Sequence, residues 1–247
     1  MTGALHFADS GEAADLAAFL GRLVHYDRAA AVRLQAAPAL PDAVGQGGGA
    51  LAVFGRPPSF EVLAIRTVRL AVPVGTPLDV TVSAGELLES VDEAAAGAVV
   101  PGPVTGPPWA GLLPPRGGWR QLPGLPGPEE MRTAVAEAVA EFRARDEALP
   151  AQHRTRSERD RIGREIWSRT LGDTELPLRA VHAAQSLGFL RPIRSAVHAG
   201  AAGSGAPAPV ALLAAGTWLR LRTPYGSIAT RSPGSTSGLG AFQVRPV

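Results

Sequence analysis

Leu16, Phe19, Leu20 and Leu23 recur at helical spacing, and they predict a helix entered from a short strand at Leu5–Ala8. Asp9 with Glu12 three residues on forms a capping box at its start. Asp9, Glu12 and Asp15 then sit at the positive end of the helix dipole. Downstream the pattern changes to alternation and short apolar runs. Ala30–Gln35, Leu51–Phe54 and Phe60–Val72 read as strands, separated by a loop over Pro38–Gly49 and a turn over Gly55–Ser59. In the longest of them Val62, Ala64, Val68, Leu70 and Val72 share one side, while Leu63 and Ile65 face the other, so both faces are covered over part of its length. After Pro73–Pro77 the pattern restarts with a strand at Leu78–Val82. A second capping box, Ser83 with Glu86, opens a helix whose buried side is Leu87, Leu88 and Val91. The expected order is β-α-β-β-β, then β-α again.

That order resembles a bacterial DNA sliding clamp, which repeats a β-α-β-β-β unit. Leu5-His6-Phe7 with the helix to Val24, the strand within Glu61–Val72, and Val80-Thr81-Val82-Ser83-Ala84-Gly85-Glu86-Leu87-Leu88 carry the likeness, over roughly residues 4–93. The resemblance implies a sheet backed by helices and an association with DNA. It departs from the family in one respect: clamps meet DNA with basic inner helices, whereas the first helix here is acidic, with Arg22 its only cation. The encircling function is therefore not carried over.

Residues 97–128 hold 8 Gly and 9 Pro, which excludes most regular structure. Trp109, Leu112, Leu113, Trp119 and Leu122 are spaced through this stretch and predict a strap lying over a core. Arg116-Gly117-Gly118-Trp119-Arg120 places guanidiniums beside an indole, a combination that stacks on single-stranded nucleic acid or simply packs.

From Pro128 a helix is predicted to about Ala148, with Glu129 and Glu130 in its first turn and Met131, Val135, Val139 and Phe142 as its stripe. Ser157 is read as the cap of a second helix carrying Ile162, Ile166 and Trp167, with Gly163 permitting a close contact and Gly172 ending it. Thr174 is read as the cap of a third, with Leu178, Val181, Ala184 and Leu187 buried and a Schellman ending at Gly188-Phe189. Its polar stripe, Arg179, His182, Gln185 and Ser186, has groups that hydrogen-bond phosphates or base edges. A hairpin over Trp218–Arg231, turning at Pro224-Tyr225-Gly226, puts Arg220 and Arg222 on one face. These elements fit a winged helix with the hairpin as its wing. They fit equally a second β-α-β-β-β unit opened by Leu78–Val91, with the helices of 128–190 inserted and strands at Trp119–Leu122, Val210–Arg222 and Gly226–Arg231. Ser232–Gly240 is low in complexity and Ala241–Val247 would add a terminal strand.

The fold expected is therefore α+β: a mainly antiparallel sheet body over residues 1–96, a strap over 97–128, a helical Arg-rich region with hairpin over 129–231, and a tail over 232–247. Composition narrows the chemistry. All 24 basic residues are Arg, in keeping with a GC-rich genome, so no lysine is available for a Schiff base or a phosphate loop. Cysteine is absent, which removes disulfides and thiolate sites and fits a cytoplasmic location. Met1–Asp9 lacks the order of a signal peptide, and no apolar run is long enough for a membrane span. The five histidines, His6, His25, His153, His182 and His198, lie at no metal-ligand spacing, and no acid–base pair stands out, so neither cofactor nor metal is expected. Net charge is −5 over residues 1–130 and +7 over 131–247, which points the second half at an anionic partner.

The reading that follows is a non-enzymatic, DNA-associated protein. Its first half mediates assembly with itself or another protein, and Arg179, His182, Gln185, Arg220 and Arg222 meet nucleic acid. A protein-binding scaffold using Trp109 and Trp119 is the alternative, and an enzyme built from residues distant in sequence is the third.

Overall fold

The computed structural model describes residues 3–38, 48–192 and 209–232. It is an α+β structure in which one antiparallel sheet runs through both halves of the chain.

The first half supplies β1 (Ala4–His6), α1 (Ser10–Tyr26), β2 (Ala31–Ala36), β3 (Ala50–Gly55), β4 (Leu63–Arg69), β5 (Leu78–Ser83), α2 (Ala84–Ser90) and β6 (Gly97–Val99). Both predicted caps start their helices: Asp9 Oδ1 accepts from Glu12 N at 2.9 Å and Ser83 Oγ from Glu86 N at 3.3 Å, although the Glu12 carboxylate does not return to Asp9 as a capping box requires but takes Arg66 and Arg69 instead. The second half supplies β7 (Arg120–Leu122), α3 (Pro128–Glu147), α4 (Arg156–Trp167), α5 (Leu178–Ser186), β8 (Ala211–Ala215), β9 (Trp218–Thr223) and β10 (Gly226–Arg231). Two starts differ from expectation. Thr155, not Ser157, caps α4, because its Oγ1 accepts from Glu158 N. Thr174 lies before α5 and closes a turn, donating to Leu171 O and accepting from Leu176 N, so the helix begins only after Pro177. The predicted Schellman ending is present: Phe189 N bonds Ala184 O and Gly188 N bonds Gln185 O, with Gly188 at φ 75°.

The sheet order is β5-β2-β3-β4-β10-β9-β8-β7, while β1 and β6 form a separate ribbon. The segment α1-β2-β3-β4 is echoed by α5-β8-β9-β10, and the two runs meet where β4 pairs β10. The hairpin is therefore sheet and not wing, as the second-unit reading expected, but Leu78–Val91 does not open that unit: β5 pairs β2 at the far edge and α5 supplies the second run's helix. Ile228 and Leu221 of the hairpin enter the main core, and Ala229 on the opposite face is fully buried as well. A hairpin paired on both edges inside the sheet does not project as a wing that could enter a groove.

Alternation sorts the strand residues into two layers. On the inner face Leu34, Leu51, Val53, Ala64, Leu219, Leu221 and Ile228 pack with the apolar sides of the helices, including Leu16, Phe19 and Leu20 of α1 and Val181 and Ala184 of α5. On the outer face Phe54, Leu63, Ile65 and Ala229 form a smaller cluster with Trp109, Leu113 and Trp218.

The strap crosses that outer face. Val104 N bonds Thr81 O at the β5 edge, a turn of 3₁₀ helix over Pro108–Gly111 follows, and β7 adds to β8 at the other edge. Ala110 is buried beneath it, but Leu112 is 62% exposed, contrary to the expectation that every large strap residue packs inward. The predicted features of residues 233–247 and the connection over 195–208 lie outside the described residues.

Candidate functional site

Arginine dominates the polar chemistry, so the informative question is which guanidiniums are already satisfied. On the inner side those beside the start of α1 are met by its acids. Arg66, almost fully buried on β4, meets Glu12 at 2.7 Å and Asp15 at 3.4 Å, and donates to Tyr225 O at 2.9 Å. Arg69 takes Asp9 and the other oxygen of Glu12, and Arg191 takes Asp15. The acids at the start of α1 are thus consumed within the fold. The inserted helices are laced in the same way. Arg145 and Arg169 bridge Glu141 and Glu165, whose carboxyls these arginines hold below their ordinary pKa. Along α4, Arg161 meets Glu158 and Glu165, and Asp160 faces Arg156.

Arg220 and Arg222 are different. Strand alternation places both on the outer face of β9, opposite Ala229 and Ser227 of β10 and Leu213 and Ala211 of β8. None of these neighbours is an acid. Among the described residues neither guanidinium has a hydrogen bond or ion pair, and the Nε of each is buried and unbonded. Burial, followed by the charge of Arg222, pushes the pKa of Arg220 down. Among the described residues Arg28, Arg56, Arg120, Arg143 and Arg164 also lack partners, but they are exposed to solvent.

Beside Arg220 the strap and the sheet border a slot of about 380 Å³, lined in part by Gln35, Thr67, Leu113, Arg116 and Arg220. Its floor includes Arg33, which is already held by Asp79 through two bonds of 2.7 and 2.8 Å. Indoles stand beside two arginines of this face: Arg220 lies 5.8 Å from the Trp119 ring, and Arg231, which also donates to Thr217 Oγ1, lies 4.9 Å from Trp218. Trp119 is anchored by its Nε1 donating to Pro115 O, and Trp109 packs into the outer cluster.

The other predicted contact residues lie elsewhere. Arg220 and Arg222 alternate with Leu219 and Leu221, which face α5, so the polar stripe of α5 is on the opposite side of the sheet. His182 is stacked on Trp167 at 4.3 Å and edge-on to Phe60 at 5.1 Å, and burial pushes its pKa down. Arg179 lies 3.7 Å from Glu61, and its Nε is buried without a hydrogen bond. Gln185 lines a shallow depression with Val139 and Arg143. Arg179, His182 and Gln185 thus do not join Arg220 and Arg222 in one surface. The cluster of Phe60, Trp167 and His182 was not legible in sequence, since it joins a loop to two helices more than a hundred residues away. Its one local signal, the Ser59-Phe60-Glu61 turn, reads there as the start of a strand. Ser59 and Glu61 instead have φ of 68° and 53°.

Among the described residues no group of three or more His, Asp or Glu side chains converges as a metal site, and no helix is long and apolar enough to cross a membrane. Residues 1–111 match a family model described as a domain of unknown function, DUF8010, and residues 114–235 match another, DUF8185. The boundary falls within the strap, so the two matched regions share one sheet. No curated protein and no solved structure matches the chain.

Proposed function

We propose that this protein is a non-enzymatic nucleic-acid-binding protein, and that single-stranded DNA lies along the strap-crossed outer face of the sheet. The observation that carries this reading is the Arg220/Arg222 pair. Two like charges stand side by side, partly withdrawn from water, with no internal counter-charge. A desolvated guanidinium without a partner is costly, and a phosphate relieves both the desolvation and the mutual repulsion. Arg116 and Arg231 extend the positive strip, and Trp119 and Trp218 supply ring faces on which bases stack whatever their sequence. The likeness of residues 4–93 to a clamp unit is in keeping with a DNA partner. No ring closure is proposed, because the acids of α1 are taken up by Arg66, Arg69 and Arg191.

The test is fluorescence anisotropy with a labelled oligonucleotide of about 16 nucleotides. Three phosphate contacts give a salt slope of about −2, so affinity should fall about 20-fold between roughly 50 and 200 mM salt. Arg220→Gln/Arg222→Gln should abolish most binding, while Arg143→Gln on the inner side leaves it intact. Absence of binding by the wild type at about 50 mM salt would sink the proposal.

A protein-binding scaffold is the second reading. Val99, Val104 and Leu112 favour it, since they leave large apolar side chains exposed on or beside the strap. It expects Trp109→Ala or Trp119→Ala to destroy partner capture and the arginine substitutions to spare it.

A further inference from the structure

On the helical side of the sheet, a cleft of about 600 Å³ opens where α3, α4 and α5 meet the β3–β4 loop. That volume is in the range of small-molecule sites. Its walls are aromatic: Phe60 from the loop, Phe142 from α3, Trp167 from α4 and His182 from α5. Arg164 and Arg179 reach it from α4 and α5. We propose that this cleft binds a small planar aromatic molecule carrying one anionic group, with its ring among Phe60, Phe142 and Trp167 and its carboxylate or phosphate at Arg164 and Arg179.

Three independent features carry the assignment. The first is backbone strain. Ser59 and Glu61, neither of them glycine, both adopt left-handed φ angles. Together they turn Phe60 into the cleft, where its ring meets His182 edge-on. Strain of this kind persists where the surroundings enforce it, and ligand sites are where it collects. The second is an open floor. A Cβ built on Gly163 would stand 3.7 Å from both Phe142 Cε2 and Trp167 Cδ1, which is ordinary contact. No close backbone approach therefore requires glycine there, although glycine is a poor residue for a helix interior. What its missing side chain provides is room between two rings. The third is charge. Arg164 has no partner among the described residues, and Arg179 has a buried, unbonded Nε and only a loose contact with Glu61. Glu61 and Asp160 also line the cleft, but the Glu61 side chain is 71% exposed against 25% for Arg179, and Asp160, 55% exposed, lies 3.9 Å from Arg156, so the most buried charge of the cleft is that of Arg179. Arg159, a further lining residue, is already taken by Asp146.

The cleft lies across the sheet from Arg220 and Arg222, so it stands or falls separately from the nucleic-acid reading. Wild-type protein is titrated with adenosine monophosphate and, separately, with naphthoate, while the Trp167 indole and His182 imidazole are followed by NMR. Saturable shifts with a dissociation constant below about 1 mM are expected for at least one probe. Response to the phosphate alone or the carboxylate alone would name the anion. Gly163→Leu should fill the cleft and remove the shifts. Arg164→Gln should weaken binding about tenfold through loss of a charge-assisted bond. Trp119→Ala, on the other face, should change nothing. Should Gly163→Leu fail to fold, Arg164→Gln at its exposed position decides. Any one of three results overturns the proposal: no saturation by either anion on folded protein, tighter binding of phenyltrimethylammonium than of both, or wild-type affinity in the folded Gly163→Leu or Arg164→Gln variant.

Discussion

Arg66 shows how a single residue can be structural where a similar one is left over. Its guanidinium is buried among Glu12, Asp15 and the Tyr225 carbonyl, and so ties α1, β4 and the β9–β10 turn together. Arg66→Ala leaves two carboxylates short of a partner. It should cost about 3 kcal/mol, measured by urea denaturation, softened because Arg69 and Arg191 still hold the same acids. His182 makes a different prediction. Burial lowers its pKa, so the folded state takes up a proton less readily than the unfolded chain. Above the unfolded value of about 6.5 both states are neutral and this residue's stabilising effect is complete. As pH falls below that value the unfolded state is protonated first, and stability is lost until the pH has passed the folded pKa. The urea midpoint of wild-type protein should therefore drop between about pH 7 and 5 by more than that of His182→Phe. An equal drop in both would contradict the assignment.

At the scale of elements, caps and close contacts fix where the chain turns. The end of α5 depends on Gly188, whose φ of 75° a side chain would resist. Gly188→Ala should cost about 1 kcal/mol in chemical denaturation. At the start of β10 the constraint is space: a Cβ on Gly226 would fall 2.5 Å from Phe189 Cζ. Phe189 in turn stacks on Phe19 of α1, so it has little freedom to retreat. Gly226→Ala should thus destabilise by about 2 kcal/mol, within the range for overpacked cores. These elements were largely legible beforehand. Asp9, Ser83 and Gly188 each announce a helix end through their own hydrogen-bonding or backbone preference, which acts over three or four residues. Two starts were misplaced: the hydroxyl of Ser157 offers the same capping chemistry as that of Thr155 two residues earlier, and Thr174 spends its hydroxyl on a turn, so α5 starts after Pro177, which has no side-chain cap.

The whole molecule is organised by the β4–β10 junction, where two α-β-β-β runs become one sheet. Neither run is complete without the other, since β4 would otherwise present an unpaired apolar edge. A fragment ending at Gly111, the limit of the first family match, should therefore associate or aggregate. Size-exclusion chromatography with circular dichroism checks this, and a folded monomeric fragment would count against it. The sheet built at this junction also separates the two surfaces that a winged helix would have brought together. Arg179 and His182 of α5 line an aromatic cleft on one side, and Arg220 and Arg222 lie on the strap-crossed face on the other.

The sequence by itself determined the α+β class, the helices and their caps, most strands, and the alternation that puts Arg220 and Arg222 on one face. All of these depend on backbone periodicity and on neighbours within a few residues. Only the tertiary structure decided that the Trp218–Arg231 hairpin is sheet and not wing, that the acids of α1 are satisfied, and that Phe60, Trp167 and His182 meet. Strand order and side-chain partners depend on which apolar surfaces still need covering once the local elements exist. That is a property of the assembled chain, because hydrophobic burial has no direction of its own.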